Sequence, residues 1–326
     1  MKKLIVPAAL LLGFAGAANA QLVIYGLLDG SYGKSVADDI AGLKSDFHSG
    51  GDSGSGQGNS TSRFGLKGST DVATGIKANF NLQSNGITSD GQVNDPFFGR
   101  QAWFGFSGSF GEFRFGRQDS VPFQTMIDFD FNGASNGLSA GAYSGVGAFG
   151  AKIGRQSRSL QYIAPEIVKG AKLQVGFVPE GNVPGDKATF SAGASYTLGP
   201  LAAAVAYESK RTETGAQFGS ISASYDLSVA KFMVGYTKNG ASVKGFNLGV
   251  VAPVAGFNVG ALYGKNSSTN DKSKAYELFV NKEVFKGTYA YAEYGSADMR
   301  GSETILGNFP TTTKGSGFAV GMIYTF

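Results

Sequence analysis

Side chains that commonly carry out catalysis are scarce in this sequence. It has one histidine, His48, and no cysteine. A serine or water nucleophile needs a nearby base, which is usually a histidine. His48 lies in a Gly- and Ser-rich stretch, Lys44 to Gly58, that is typical of a solvated loop. Hydrolysis that depends on His48 is therefore the weaker hypothesis, and we expect no catalytic residues.

Motifs for metals and nucleotides are also missing. The sequence contains no HExxH, no P-loop and no CxxC. Asp38-Asp39 and Asn270-Asp271 could hold a divalent cation, but loop carboxylates are more often solvated. We therefore expect no metal and no cofactor.

The N-terminus has the pattern of a secretory signal peptide. Met1, Lys2 and Lys3 form a basic start, Leu4 to Phe14 is apolar, and Ala18-Asn19-Ala20 supplies small residues for cleavage. The apolar run is shorter than the ~20 residues that a spanning helix needs. We predict that residues 1–20 are removed and that residues 21–326 form one mature domain.

Composition favours many short strands. The sequence has 50 Gly, 26 Phe and 14 Tyr but only 9 Pro, and aromatic residues are enriched in strands. Lys and Arg number 28 against 24 Asp and Glu, so losing Lys2 and Lys3 leaves 26 basic residues against 24 acidic ones, a formal net charge of +2. Net charge therefore predicts no nucleic-acid partner.

Apolar and polar residues alternate with a period of two, most clearly after Phe190. Phe190 and Tyr196 fall on one face of a predicted strand, and Ser191 and Ser195 fall on the other. Aromatic residues repeatedly end the apolar face, as expected of girdles at two membrane interfaces. A soluble sandwich would place its bulky residues in mid-strand. The pattern therefore predicts an all-β, transmembrane antiparallel barrel.

Connections between the predicted strands alternate between short and long. The short ones are Asp71–Gly75, Ser109–Gly111, Leu198–Pro200, Pro253–Gly256 and Glu283–Gly287, and the long ones are 37–60, 119–154, 266–273 and 298–314. Transmembrane barrels combine short periplasmic turns with long extracellular loops. Counting the segments predicts sixteen strands, with fourteen or eighteen left open.

Several motifs recur in a characteristic order along the chain: Tyr25-Gly26 with Asp29, Ser62 to Gly68, Phe110 to Arg117, and the C-terminal Tyr324-Thr325-Phe326. Together they resemble the trimeric general porins of Gram-negative bacteria, particularly the neisserial and β-proteobacterial branch. The resemblance covers essentially the whole chain. It implies a sixteen-stranded homotrimer in the outer membrane, in contact with lipid and lipopolysaccharide. It further implies that Tyr324 and Phe326 signal to the barrel-assembly machinery.

The resemblance also implies a pore constriction, with the third long loop, about 119–154, folded into the lumen. The basic wall would comprise Arg63, Arg100, Arg117, Arg155 and Arg158. The acidic loop would contribute Asp119, Asp128 and Asp130. Strand alternation supports an inward Arg63, whereas strict alternation would turn Arg100 outward unless the pleat is broken.

These residues indicate a water-filled channel for passive diffusion of small hydrophilic solutes and ions. Facing charges set selectivity where the water column is narrowest, and the arginines motivate a weak anion preference. The alternatives are a substrate-specific channel for a sugar or organic anion and an enzymatic barrel. Tyr289 and Tyr291 have the parity of Glu293 and could face water, but two residues do not make the aromatic track that a sugar channel needs.

Overall fold

The computed structural model describes most of the chain after residue 20. The described ranges are 21–52, 57–134, 137–151, 154–181, 187–212, 216–240, 243–268, 272–300, 303–304, 307–308 and 313–326. The predicted signal peptide lies outside these residues.

Sixteen long strands dominate the described part of the chain, as predicted. They are β1 (Gln21–Lys34), β2 (Arg63–Ala73), β3 (Ile76–Gln83), β4 (Gln101–Gly108), β5 (Gly111–Asp119), β6 (Arg155–Ile163), β7 (Ala171–Val178), β8 (Thr189–Leu198), β9 (Leu201–Glu208), β10 (Phe218–Asp226), β11 (Lys231–Asn239), β12 (Val243–Val254), β13 (Phe257–Ser267), β14 (Lys272–Phe285), β15 (Thr288–Arg300) and β16 (Thr313–Thr325).

The strands close into one antiparallel barrel. Each strand pairs with the next in the chain, and the two ends meet where Leu27–Lys34 of β1 pairs with Phe318–Thr325 of β16. A short strand, Asp46–Ser49, pairs with Gly30–Gly33 along the other edge of β1. Closure leaves the long strands of the barrel without a free edge, so their backbone groups are satisfied within the sheet.

Burial alternates along the strands as the sequence predicted. In β10, Ile221 is 58% exposed whereas the next residue, Ser222, is 2% exposed. Large apolar side chains therefore cover the outside of the barrel, and small or polar ones line the inside. This arrangement is that of a barrel solvated by lipid outside and water inside.

The connections also follow the predicted pattern. The five predicted short turns lie at one end of the barrel, and Gly75 and Gly199 adopt positive φ values of 72° and 56° in two of them. The longer connections lie at the other end. The prediction did not name residues 84–100, 179–188 and 209–217 among them, and it began β4 near Phe97 rather than Gln101.

Among the residues that the structure describes, helices occur only in the long connections. They are α1 (Val36–Ile40), α2 (Val121–Met126) and α3 (Ala140–Ser144), with 3₁₀ turns at Ile127–Phe129 and Gly147–Ala151. Within the described residues, no helix is long and apolar enough to cross a membrane.

Candidate functional site

The connection between β5 and β6, residues 120–154, lies against the inward-facing side chains of the barrel. We call it the inner segment. It turns at once into α2, because the Ser120 Oγ caps the helix by accepting from the Phe123 N–H (3.3 Å). Apolar side chains then bury the segment against the wall. The most buried are Val121, Met126, Leu138, Tyr143 and Val146, each at most 1% exposed.

Glycines in the wall make room for the inner segment. A Cβ on Gly264 of β13 would lie 2.1 Å from the Ser144 Oγ, and one on Gly193 of β8 would lie 2.0 Å from the Thr125 Oγ1. Non-bonded atoms cannot approach each other this closely. The missing side chains therefore set how closely α2 and α3 approach the sheet.

Hydrogen bonds attach the inner segment around the barrel. Gln174 of β7 donates to the Thr125 Oγ1 (2.8 Å), and the Gly147 N–H donates to the Thr237 Oγ1 of β11 (2.9 Å). The Ala140 N–H donates to the Glu277 Oε2 of β14 (3.0 Å). The segment therefore crosses the lumen instead of extending into solvent.

Asn132 provides the most buried of these attachments. Its Nδ2 donates to the Glu293 Oε2 (2.6 Å) and to Glu277 as well (2.5 Å). Asp130 lies beside this pair and accepts from the Asn132 N–H (3.2 Å). Burial raises the pKa of the Asp130 carboxyl above its ordinary value.

Three arginines gather on the opposite side of the lumen. Arg63, Arg100 and Arg155 line one cavity of about 460 Å³ together with Asp119. The Arg155 Nε lies 3.2 Å from the Asp119 Oδ1, and each of the three guanidinium groups lies within electrostatic range of the other two. We call these four residues the arginine face.

Arg100 reaches this cavity because it precedes the strand. β4 begins at Gln101, so the alternation that would turn Arg100 outward does not apply to it. Its Nε donates to the Gln83 Oε1 (3.0 Å), which fixes the side chain over β3.

The inner segment presents little charge to the arginine face. Its residues in the cavity are apolar or small: Phe123, Ile127, Gly133, Ala134, Ala148, Phe149 and Gly154. Asp119, the acidic residue that lines this cavity, ends β5 and so belongs to the wall. The cavity is lined by three cationic side chains and one carboxylate, so its net charge is positive.

Four predicted site residues are not brought into this group. Asp128 is exposed, and Asp130 is directed toward Asn132 and Gly141. Arg117 donates to the Gly99 carbonyl (2.6 Å) and the Ser157 Oγ (2.8 Å).

Arg158 departs most from the expectation. It is exposed with φ at 51°, opposite a register shift between β5 and β6, and its Nη1 donates to the Gly181 carbonyl (3.4 Å). The irregular pairing at this point breaks the strand alternation, and the side chain lies away from the arginine face.

Sequence reasoning missed the acidic residues that hold the inner segment. Glu277 and Glu293 are 0% and 5% exposed, and both accept from the Asn132 Nδ2. Their signal was available, because each is a carboxylate on the inward parity of a strand that is otherwise apolar or small. Tyr291 is buried and its hydroxyl donates to the Asp29 Oδ1 (2.7 Å), whereas Tyr289 is exposed.

The predicted assembly residues lie at the barrel seam. Tyr324 and Phe326 are both 49% exposed on the outside. The Gly26 N–H donates to the Phe326 carbonyl (2.9 Å), and the Phe326 N–H donates back to Gly26 (3.1 Å). The last residue therefore completes the pairing of the first strand.

Asp38 and Asp39 are engaged by neighbouring groups of the chain. Asp38 caps α1 through Ser35, and Asp39 accepts from Lys34 and from the Ser316 N–H (2.9 Å). Asn270-Asp271 lies outside the described residues, and the described ones contain no cluster of three or more His, Cys, Asp or Glu that could hold a metal.

Comparisons with known proteins point to one family. A family model of Gram-negative porins matches residues 8–302. An outer membrane porin of Bordetella pertussis is 30% identical over 275 residues, which is 73% of this chain and 69% of the relative.

Solved structures share the fold. An anion-selective porin from Comamonas acidovorans superimposes with a TM-score of 0.73 at 22% identity, over 94% of this chain and 100% of that one. The trimer form of OmpT from Vibrio cholerae gives a TM-score of 0.66 at 16% identity, over 94% and 99% of the two chains.

Proposed function

The chain belongs to the Gram-negative porin family, and from that premise we propose that its outer-membrane channel passes small hydrophilic solutes and ions passively, with a weak preference for anions. Residues 1–20 are the export signal in this proposal. The inner segment narrows the lumen, and selectivity arises where it faces the wall.

The arginine face is the observation that carries the proposal. Arg63, Arg100 and Arg155 share one cavity with a single carboxylate, and the opposing inner segment is apolar there. Low-dielectric walls focus the field of fixed charges into a narrow water column. Anions are therefore favoured in the gap and cations are disfavoured.

The proposed partners are a second and third copy of the chain, the assembly machinery and the surrounding lipid. Assembly into a homotrimer is supported by the trimer form of the Vibrio cholerae protein. Recognition by the barrel-assembly machinery is supported by the outward Tyr324 and Phe326. Outer-membrane lipid and lipopolysaccharide would surround the assembly.

Liposome swelling tests the channel and its preference together. Purified protein is reconstituted into liposomes, which are then diluted into isosmotic solutions of a neutral sugar, a small organic anion or a small organic cation of similar size. We expect swelling in all three, with the anion fastest and the cation slowest. Swelling with one sugar alone would replace the general channel by a substrate-specific one, and no swelling would reject the channel.

A further inference from the structure

Two side chains of β1 that the proposed function does not use, Tyr25 and Asp29, connect to the arginine face. They have the same parity along the strand, so both face the lumen. Each is part of a hydrogen-bond chain that ends at one arginine. The chain from Tyr25 ends at Arg100, and the chain from Asp29 ends at Arg63.

Tyr25 reaches across β2 to contact β3. It lies directly opposite Gly65 of β2, which lies directly opposite Gln83 of β3. Adjacent strands are about 4.8 Å apart. The tyrosine ring can cross this distance because it lies over Gly65, where a Cβ would be 2.6 Å from the Tyr25 Cζ. The hydroxyl thereby reaches Gln83, two strands away.

The Tyr25 hydroxyl determines which end of the Gln83 amide faces Arg100. It donates its single proton to the Asn81 Oδ1 (2.6 Å), so it can only accept from Gln83. The Gln83 Nε2 donates to it (3.1 Å), and the Gln83 Oε1 is left to accept from the Arg100 Nε (3.0 Å). Loss of the hydroxyl would free the amide to rotate and to direct its NH₂ group at the guanidinium.

Asp29 acts on Arg63 through the backbone that precedes β2. Its buried Oδ2 accepts from the Ser60 N–H (2.6 Å) and from the Asn59 N–H (2.9 Å). The Arg63 Nη1 in turn donates to the Ser60 Oγ (3.2 Å) and to the Thr61 carbonyl (2.6 Å). Ser60 and Thr61 line the same cavity as the arginines. The Asp29 carboxylate therefore fixes the short stretch of chain that holds Arg63.

These acceptors hold the arginines without cancelling their charge. Arg63, Arg100 and Arg155 lie within electrostatic range of one another, so their guanidinium groups repel. A carboxylate would bind a guanidinium more strongly, but it would also offset the charge on which the anion preference depends. Amide, hydroxyl and carbonyl oxygens hold Arg63 and Arg100 and leave their positive charge in the gap.

We propose that Tyr25 and Asp29 are positioning residues that hold Arg100 and Arg63 in the narrow gap of the channel. The proposal rests on the proposed function, because both residues act on selectivity through the arginine face. β1 is then the common support of two of the three arginines. A change at Tyr25 or Asp29 should alter the permeability ratio only while its arginine is present.

A double-mutant cycle tests Tyr25. Y25F removes one hydroxyl and no charge, and we expect the anion-to-cation permeability ratio to fall by roughly 1.5-fold. R100Q lacks the guanidinium, so adding Y25F to R100Q should cause no further fall. Y289F is the matched control, because Tyr289 is an exposed tyrosine on the lumen parity of β15 at the short-turn end. It should leave the ratio unchanged.

The cycle for Asp29 separates charge from position by the sign of the effect. D29N removes a negative charge, so a direct charge effect would raise the anion preference. Displacement of Arg63 would lower it, and we expect a fall of roughly 1.5-fold that is absent when D29N is added to R63Q. D128N loses the same charge at an exposed position and is the control. Unheated gel mobility and single-channel conductance establish that each variant has folded.

Reversal potentials in a salt gradient measure all these ratios. The assignment of Tyr25 is overturned if Y25F keeps the wild-type ratio, or if it lowers the ratio in R100Q as much as in wild type. The assignment of Asp29 is overturned if D29N raises the anion preference. A wild type that prefers cations would instead reject the proposed function, and the two cycles would still measure whether Tyr25 and Asp29 act through the arginines.

Discussion

Three arginines and one aspartate determine the electrostatics of the proposed constriction at the scale of single residues. Arg155 is paired with Asp119, whereas Arg63 and Arg100 make hydrogen bonds to neutral groups. Their positive charge is therefore offset only in part. Removing a positive charge at these positions should lower the preference for anions, and removing the negative charge should raise it.

Neutralising an arginine should weaken the anion preference. For R63Q and R100Q, we expect the anion-to-cation permeability ratio to fall by roughly a factor of two each, because each removes one cation from the narrow gap. Reversal potentials in a salt gradient measure this ratio. R158Q is the matched control and should leave it unchanged, since Arg158 lies away from the cavity. A loss in R158Q equal to that in R63Q would contradict the assignment.

Removing the aspartate should act in the opposite direction. D119N deletes the carboxylate of the cavity and should raise the anion preference by about twofold. D128N is the matched control because Asp128 is exposed outside the cavity. If D119N instead lowered the anion preference, Asp119 would be acting through the placement of Arg155 rather than through its own charge.

Sequence alone could predict part of this site. Strand parity predicts that Arg63 faces inward because its neighbours alternate regularly. Arg100 and Arg158 could not be assigned in this way, since one precedes its strand and the other lies at a register shift. The acidic side was expected on the loop, but the acidic residue that the structure brings to the arginines is Asp119, which ends β5.

At the scale of elements, the inner segment depends on complementary gaps in the wall. Gly193 and Gly264 accommodate α2 and α3, and the carboxylates of Glu277 and Glu293 receive the turn that contains Asn132. The position of the inner segment thus depends on residues spread over many strands. No local pattern in residues 120–154 encodes it, which is why sequence reasoning reached the infolding only through resemblance.

Filling a wall gap should displace the inner segment. G264L forces a side chain into the space of Ser144, and overpacking of this kind costs about 1–3 kcal/mol. We expect the segment to move away from β13 toward the arginine face, which narrows the gap, and the single-channel conductance to fall. G219L is the control, because a Cβ on Gly219 meets nothing within 4 Å. Unchanged conductance in a folded G264L barrel would show that the segment does not limit flow.

The attachment around Asn132 should depend on pH through Asp130. Burial raises the pKa of this carboxyl in the folded protein, so Asp130 stabilises the fold most below its unfolded pKa and loses that contribution as pH rises through the folded pKa. We therefore expect hydrogen exchange of residues 120–134 to speed up from pH 4 to pH 8, after correction for the intrinsic pH dependence.

D130N removes the titrating group and should flatten this profile. D128N should keep the wild-type profile, because its carboxyl is exposed. A D130N protein with the full wild-type pH dependence would assign the effect to other groups in the cluster.

At the scale of the whole molecule, the fold follows from repetition of one simple pattern. The alternation within each strand shows which of its residues face the lumen and which face lipid. A wrong assignment in one strand therefore does not affect the assignment of the next. The sequence therefore predicted sixteen strands, the short turns and the closed barrel. Loop 84–100 was missed because its Asn, Asp and Gly residues are interrupted by apolar ones such as Ile87 and Phe97.

The C-terminal aromatic should matter for closure and assembly. Phe326 pairs with Gly26 through two backbone hydrogen bonds, and its ring lies over the space that a Gly26 side chain would fill. For F326A we expect a several-fold lower yield of folded barrel in the outer membrane, while molecules that do fold conduct normally. Unheated gel mobility of membrane fractions measures the yield. F110A, an exposed turn aromatic, is the control and should fold at the wild-type level.

Selection by the arginine face is tested most directly by the reversal potential of the refolded protein in a planar bilayer under a salt gradient, recorded during single insertions. We expect ohmic openings in groups of three and a reversal potential of the sign given by anion preference, which shifts toward zero in R63Q and R100Q. A reversal potential of the opposite sign, or one that these two substitutions leave unchanged, would contradict the claim that the arginine face selects the permeant ions.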